Sequence, residues 1–428
     1  MFSWPRIVYK APSLLTLGLL LHAGRVTAET PTLGHCFWDP LGPLGREGYA
    51  YGNGDLKCTK LIDDSSSSWM PWDHPPKCAH PENGGPARYC VYTKSSLHGT
   101  SGLSVLSTPV IAAGLAAHLE DFDPAWLHPQ AKFYYELTNG NPPCYEVRDI
   151  PGKGKGAVAT RAIRAGEIIQ REAPVILTVA RLPKGIVPSQ VGGMFDIAFQ
   201  QLPDRERQRI TAMAKSAGTD HFLDDILHTN GIGITMDGSA LSGLYPEISR
   251  MNHDCRPNVF TRYSASTMTL EAVAYVDIQP GEELNLSYLP LNLLSKDRKK
   301  MIQRWHFNCT CSICSSKEKT DLSDQNRLRI QAILDEFGKQ KSRNHGNVER
   351  LEKELWALVE RERLEAQAGS FASIFAGIYF QMQDLDKARE YALQAARNHT
   401  HYNGYDSDKT RSALETLDFL QSIEFEYN

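Results

Sequence analysis

Short stretches of alternating apolar and polar residues dominate the middle of the chain, from about residue 145 to residue 288. Residues 145–150 alternate strictly, and the runs 157–160, 168–172, 175–177 and 268–274 are rich in β-branched and apolar residues. Turns are indicated by the glycines at 152, 154 and 156, by Gly166 and by Gly281. This pattern predicts a domain built from short β-strands.

Two other segments carry a helical pattern. Residues 189–229 interrupt the strand pattern, with Phe195, Phe199, Leu202, Ile210 and Met213 as predicted core positions. Residues 369–398 alternate small and bulky side chains, as in a helix hairpin, and resemble one tetratricopeptide-type unit. A single unit cannot bury its own apolar face, so we expect it to pack on helices near 324–364 and 408–422.

Residues 29 to about 143 are rich in Gly, Pro, Ser and Trp and have little periodicity. One helix is predicted after Thr108-Pro109. No catalytic motif occurs in this region. Its tryptophans are interpreted as anchors of a small core: Trp38, Trp69, Trp72 and Trp126.

The first 28 residues have the composition of a secretory signal. Arg6 and Lys10 precede a short leucine-rich run, and Val26-Thr27-Ala28 offers a small-residue cleavage site. A short anchor and an amphipathic organelle signal are the alternatives. No later segment is apolar and long enough to span a membrane.

Composition indicates a globular protein of several domains. The 428 residues are 41% hydrophobic and 22% charged, and 46 basic residues face 50 acidic ones for a net charge of −4. This balance argues against a general nucleic-acid binder. One local basic run is interpreted as a solvated helix face: Lys296, Arg298, Lys299, Lys300 and Arg304.

The nine cysteines fall into two sets. The first is spread among turn residues, as in disulfide-stapled segments, and its odd number leaves one thiol over: Cys36, Cys58, Cys78, Cys90 and Cys144. The second is tightly spaced: Cys255, Cys309, Cys311 and Cys314. Its Cys-x-Cys-x-x-Cys segment is typical of a zinc site, and Cys255 is available as the fourth ligand. Disulfides within this set are the alternative.

Three motifs occur in a fixed order along the chain. They are the glycine loop 152–156, the stretch 252–258 (Asn-His-Asp-Cys-Arg-Pro-Asn), and Gly281-Glu282-Glu283-Leu284 followed by Tyr288. With the later cysteines, they resemble the SET-domain methyltransferases, specifically the SET-and-MYND branch and its fungal relatives, over roughly residues 145–315. The MYND finger of that branch is absent, since no cysteine cluster lies between residues 145 and 254.

The resemblance implies a mainly β SET fold of small curved sheets with a pseudoknot. It divides the chain into a signal peptide (1–28), a Cys/Gly/Pro-rich region (29–143), a SET domain (144–318) and a C-terminal α-helical, tetratricopeptide-like domain (319–428). The SET domain would contain a helical insertion at about 178–240 and a post-SET segment at 305–318. The implied reaction is methyl transfer from S-adenosylmethionine to a lysine of a protein substrate, histone or non-histone. The alternative is a non-catalytic SET-fold protein whose helical tail docks a partner.

The resemblance also assigns residues. Tyr288 would be the catalytic tyrosine and Tyr245 a wall of the lysine channel. One structural zinc would be bound by Cys255, Cys309, Cys311 and Cys314. The cofactor would be bound by Lys153, Gly154, Lys155, Gly156, Asn230, Asn252, His253 and Phe307. Trp305 stands where the branch usually has tyrosine, and could narrow the channel or change how many methyl groups are accepted.

The sequence leaves two hypotheses for the cellular compartment of this protein. The N-terminal signal predicts the secretory pathway or the extracellular space, whereas substrates of this family are nuclear or cytoplasmic. Glycosylation sequons at Asn285, Asn308 and Asn398 add to the conflict, because the first two lie within motifs expected around the active site.

Overall fold

The computed structural model describes residues 71–423 apart from 86, 98–100, 121–142, 217, 237 and 339–343, together with Trp69. The predicted signal peptide therefore lies outside the described residues, as do Cys36, Cys58, Trp38 and Trp126. None of the described helices is long and apolar enough to cross a membrane.

A six-stranded sheet joins the N-terminal region to the middle of the chain. Its strands are β1 (Lys77–Ala79), β2 (Tyr89–Leu97), β3 (Ser101–Ser107), β7 (Ile176–Val179), β8 (Ile232–Met236) and β9 (Ser239–Leu244). They lie in the order β1-β2-β3-β7-β9-β8, and the β3–β7 pair is parallel. Strands β1 to β3 were not predicted. Buried Thr93 and Ser104 bond each other in β2 and β3, so polar side chains on the inner face obscure the alternation.

Smaller sheets lie beside it. Strands β4 (Tyr145–Ile150) and β5 (Gly154–Ala159) form a hairpin, and β6 (Ile168–Glu172), β11 (Val259–Ser264) and β12 (Thr269–Ala274) form a three-stranded sheet. Strands β10 (Asn252–His253) and β13 (Asn285–Leu286) are a short parallel pair. The predicted glycine loop is shorter than expected, because residues 154–156 already belong to β5. This set of small sheets confirms the predicted fold class.

Helix α1 (Pro109–Glu120) confirms the helix expected after Pro109. The interruption at 189–229 is also helical: α2 (Pro188–Gln200), α3 (Asp204–Thr211) and α4 (Phe222–Asn230). Of the five predicted core positions, Phe199 is partly buried and the others are buried: Phe195, Leu202, Ile210 and Met213.

The C-terminal part is helical. Helix α5 (Ser295–Ile302) precedes α6 (Lys317–Phe337), α7 (His345–Glu362), α8 (Ala368–Gln381), α9 (Leu385–Asn403) and α10 (Asp408–Ser422). Helices α8 and α9 are the expected hairpin, and they share one apolar core with α6, α7 and α10. The likeness to a tetratricopeptide unit stays a prediction.

The three N-terminal cysteines that the structure describes separate into a pair and a single thiol. Cys78 and Cys90 form a disulfide at directly paired positions of β1 and β2. Cys144 is a buried free thiol directed at the carbonyl oxygen of Ile169. Trp72 is 2% exposed and packs in the main core, as predicted for a core anchor.

Candidate active site and metal centre

The three sequence motifs meet where the parallel pair β10–β13 crosses the hairpin β4–β5. Asn252 and His253 pair with Asn285 and Leu286, and Glu283 forms an isolated bridge to Val158 in β5. The Asn258 side chain connects the strands: its Nδ2 donates to the Glu283 carbonyl (2.9 Å) and its Oδ1 accepts from the Asn285 N–H (2.8 Å). The Val158–Glu283 bridge brings together segments about 125 residues apart, and Asn258 holds the two later motifs side by side.

Glu283 is the polar centre of this crossing. Its carboxylate accepts from Asn252 Nδ2 (2.9 Å) and from Lys153 Nζ (2.6 Å). Asn252 Nδ2 also donates to the Lys155 carbonyl (3.1 Å). A Cβ on Gly156 would lie 2.9 Å from Asn252 Nδ2 and 2.6 Å from Ile150 Cγ1, so any larger residue there would force these side chains to shift. No role for Glu283 was predicted from the sequence, although its position in the Gly-Glu-Glu-Leu turn could have indicated one.

The turn between β4 and β5 exposes its backbone. Gly152 and Gly154 both have φ near +74°, and a Cβ built on either would meet no atom within 4 Å. Backbone bordering open space in this way lets a ligand approach closely. The predicted cofactor residues Lys153 and Lys155 are exposed, and Lys155 pairs with Asp149 (2.8 Å).

His253 is buried and both of its ring nitrogens are used within the protein. Nδ1 accepts the backbone N–H of Tyr288 (3.0 Å), and Nε2 lies 3.3 Å from Cys255 Sγ. Burial lowers the pKa of His253 to about 4, so the ring is neutral near pH 7. A neutral ring that accepts at Nδ1 carries its proton on Nε2, directed at Cys255. The sequence did not suggest this link.

Tyr288 is partly buried beside His253 and Trp305. Its hydroxyl donates to the carbonyl of Met251 (3.0 Å), and its ring centroid lies 5.3 Å from His253 and 5.2 Å from Trp305. Desolvation raises the pKa of this phenol well above its usual value of 10, so it remains protonated. The predicted catalytic tyrosine thus has its O–H fixed by a backbone carbonyl.

The C-terminal end of α4 packs against the post-SET segment. Trp305 Nε1 donates to the Thr229 carbonyl (2.8 Å), and Arg304 donates to the neighbouring His228 carbonyl (3.1 Å). The adjacent Asn230 has its amide engaged with the carbonyls of Ala214 and Ile226, both at 2.8 Å. Asn230 therefore lies near the site, but its side-chain NH₂ group donates to carbonyls of α4 and of the loop before it.

Two other predicted residues differ in exposure. Phe307 is half-buried, with its ring 6.1 Å from His253, which leaves part of an aromatic face beside the site. Tyr245 is fully buried in the main core, and its hydroxyl has no hydrogen-bond partner among the described residues. Burial raises its pKa well above 10. The channel role of Tyr245 stays a prediction.

The four later cysteines come together as expected for a metal centre. Their sulfurs all lie within 4.8 Å of one another, with Cys255 Sγ 3.8 Å from Cys309 Sγ and 3.7 Å from Cys314 Sγ. A tetrahedral zinc with bonds of about 2.3 Å separates its sulfurs by about 3.8 Å, so the cluster fits this ion. All four are free thiols, which contradicts the alternative of disulfides within this set.

Comparison with known proteins agrees with this geometry. The SET domain family matches residues 154–289. The histone-lysine N-methyltransferase set5 of Schizosaccharomyces pombe is 29% identical over 191 residues, which are 44% of this chain and 56% of that protein. The N-lysine methyltransferase SMYD2 of Gallus gallus is 34% identical over 108 residues, 24% of this chain and 23% of that protein. The histone-lysine N-methyltransferase SMYD3 of Homo sapiens is 38% identical over 78 residues, 18% of each chain.

The aligned region spans little more than half of the yeast protein and about a quarter or less of the other two. The residues that match the SET domain family, 154–289, contain strands β5 to β13 and end one residue after Tyr288. Residues 154–289 therefore form a SET domain, and through it the chain is similar to the lysine methyltransferases of the Set5 and SMYD types.

Proposed function

We propose that this protein transfers a methyl group from S-adenosylmethionine to a lysine side chain of a protein substrate. The observation that carries the proposal is the meeting of Gly156, Asn252 and Glu283 beside Tyr288 and His253. The open backbone at residues 152–154 and the half-buried ring of Phe307 would hold the cofactor. Both ring nitrogens of His253 already have partners within the protein, so we expect His253 to contact the cofactor through its backbone.

S-adenosylmethionine supplies an electrophilic methyl group when bound. The work left to the protein is alignment of the acceptor amine, which can offset about 7–11 kcal/mol of barrier. The amine must be neutral, although a free lysine has a pKa of about 10.4. Desolvation in a narrow apolar site, and the positive sulfonium beside it, disfavour the charged form and lower that pKa. Protonated Tyr288 and nearby backbone carbonyls can orient the amine, because a neutral phenol competes poorly for the methyl group.

Zinc fits the four cysteines and would have a structural role. Four thiolates leave no open coordination position, so the metal supplies no Lewis acid to the substrate. The metal would tie Cys255, three residues after Asn252, to the post-SET segment that carries Trp305 and Phe307. It would thereby hold Trp305 and Phe307 close to strand β10 and the residues that follow it.

The test is the Tyr288→Phe variant, which removes one oxygen and almost no volume. Transfer of labelled methyl to a histone pool or a cell extract is compared between the wild type and the variant. Loss of one well-placed polar group at a reacting centre typically lowers turnover about a hundredfold. We expect turnover to fall by that order while the affinity for S-adenosylhomocysteine, measured by calorimetry, changes little. Equal activity of the two proteins would exclude Tyr288 as the catalytic tyrosine.

The result for the wild type separates the two function classes. Labelling of a protein band by the wild type supports the enzyme. Absence of labelling on any extract, with zinc and cofactor both bound, favours a SET-fold binding protein whose C-terminal helices dock a partner.

We also propose that the chain matures in the secretory route. A disulfide at Cys78–Cys90 is favoured in an oxidising compartment. Of the three sequons, Asn308 is exposed, whereas Asn285 and Asn398 are half-buried. Intact-mass measurement of protein from its native cells would reveal cleavage near residue 28, the disulfide and any glycan. A full-length, reduced and unglycosylated chain would overturn this proposal.

A further inference from the structure

Glu172 is a buried carboxylate at the end of β6, outside the motifs of the site. It is 6% exposed, and its backbone pairs with Leu270 of β12. Its two oxygens accept the backbone N–H of Glu247 (3.1 and 3.0 Å), and Oε2 also accepts the N–H of Ile248 (3.0 Å). Burial of a carboxylate is costly unless it is paired and hydrogen-bonded, so these contacts fix the backbone of residues 247–248.

That backbone leads directly into the site. Residues 248–250 form a single 3₁₀ turn, and the next residue, Met251, offers the carbonyl that accepts the Tyr288 hydroxyl at 3.0 Å. Asn252 and His253 follow at once, but they have further anchors in β13, in Glu283 and in the N–H of Tyr288. The position of the Met251 carbonyl therefore depends on Glu172 more than the positions of Asn252 and His253 do.

A single arginine connects the same carboxylate to the helical insertion. Arg209 on α3 forms ion pairs with Glu172 and with Glu206 (2.6 Å), and it lies 3.5 Å from Glu247. Burial raises the pKa of Glu172 to about 7, opposed by the nearby Arg209 and the two backbone N–H groups. A carboxylate in this buried position is best explained by the backbone N–H groups of Glu247 and Ile248 that it binds.

We propose that Glu172 is a positioning residue for methyl transfer, which sets the Met251 carbonyl and through it the hydroxyl of Tyr288. Arg209, on helix α3 of the insertion, binds the same carboxylate. Glu172 therefore contacts both the insertion and the segment that leads to Met251. This inference rests on the proposed function, and it adds a residue that lies outside the sequence motifs of the site.

The variant Glu172→Gln keeps the shape but loses one acceptor. Its amide oxygen can still accept the N–H groups of Glu247 and Ile248. Its NH₂ group then faces the guanidinium of Arg209, and because both groups are donors the contact with Arg209 is lost. Arg209 keeps Glu206 as a partner. Glu271→Gln is the matched control. Glu271 is 7% exposed in the adjacent strand β12 and pairs with Arg171 and Arg262, and within the described part of the chain it makes no hydrogen bond to the backbone of residues 245–253.

Two measurements are made at a temperature at which all three proteins are folded. In Glu172→Gln we expect turnover to fall about tenfold while cofactor affinity stays within about threefold, because the altered contact acts on the transition state. Hydrogen exchange at residues 247–251 should accelerate about tenfold in this variant, as expected when local anchoring is lost. Glu271→Gln should change neither quantity.

The outcomes separate the inference from the proposed function. Unchanged exchange at 247–251 in Glu172→Gln, or an equal loss of turnover in both variants, would overturn the positioning role. If the wild type binds zinc and cofactor but transfers no methyl, the enzyme proposal fails. Hydrogen exchange then still decides whether Glu172 holds this segment, since it needs no turnover.

Discussion

The imidazole of His253 accepts the backbone N–H of Tyr288 at Nδ1 over 3.0 Å, while its Nε2 faces Cys255 Sγ at 3.3 Å. One side chain therefore joins the candidate catalytic tyrosine to the candidate metal ligand. Partners of this kind orient metal ligands and usually affect metal affinity strongly. The cysteine cluster and the tyrosine are therefore connected through the ring of His253.

Two substitutions of His253 should separate the ends of this link. Asparagine places an acceptor near the position of Nδ1, and glutamine places an amide near the position of Nε2. We expect His253→Asn to weaken zinc binding about tenfold, as for other outer partners of metal ligands, with a smaller loss of turnover. His253→Gln should show the reverse order. Competition with a chromophoric chelator and a turnover assay measure the two effects, and identical behaviour of the variants would contradict the link.

Removal of one cysteine should release the metal. We expect one zinc per wild-type chain by elemental analysis, and its loss in Cys309→Ser together with lower thermal stability, because structural zinc binding contributes to folding free energy. Cys144→Ser is the control, since Cys144 is a buried cysteine outside the cluster. Its zinc content should equal that of the wild type. Zinc-free wild-type protein, or Cys309 in a disulfide, would contradict the metal assignment.

A methyl group on Gly156 should damage the cofactor side of the site. In Gly156→Ala the new Cβ would lie 2.6 Å from Ile150 Cγ1 and 2.9 Å from Asn252 Nδ2, so the Asn252–Glu283 contact must shift. We expect S-adenosylhomocysteine affinity to fall at least about tenfold, the cost of roughly one strong hydrogen bond. Gly193→Ala is the control, because a Cβ there meets no atom within 4 Å. Calorimetry showing equal affinities would refute the cofactor role of this crossing.

The Trp305 indole should limit the product. Its N–H is held by the Thr229 carbonyl, which keeps the ring against Tyr288. Trp305→Phe removes that bond and about one ring of volume, so we expect a larger share of di- and trimethylated lysine, read by mass spectrometry. Trp356→Phe is the control, since Trp356 donates to Tyr391 within the C-terminal helices. An unchanged distribution in Trp305→Phe would assign Trp305 a packing role alone.

The interior of the N-terminal region shows where pattern reasoning failed. Strands β2 and β3 were missed because buried Thr93 and Ser104 bond each other and the helical insertion. Their polarity looks like solvent exposure in the sequence. Only packing of α2 on the sheet makes those hydroxyl groups interior.

The sequence by itself determined the strand-rich middle, the helical insertion and tail, and the four cysteines of the metal cluster. The strands, the helices and the Cys-x-Cys-x-x-Cys segment follow from local periodicity and spacing, which neighbouring residues encode directly. Cys255 was added as the remaining cysteine after residue 144, in agreement with the family resemblance. The tertiary structure alone decided that Glu283 centres the crossing, that His253 joins Tyr288 to Cys255, and that Glu172 anchors the turn before Met251. Apart from the short His253–Cys255 contact, the hydrogen bonds of Glu283 with Asn252 and Lys153, of His253 with Tyr288 and of Glu172 with Ile248 join residues 31 to 130 positions apart. Partners at such separations are selected by the packing of the strands, which no local pattern records.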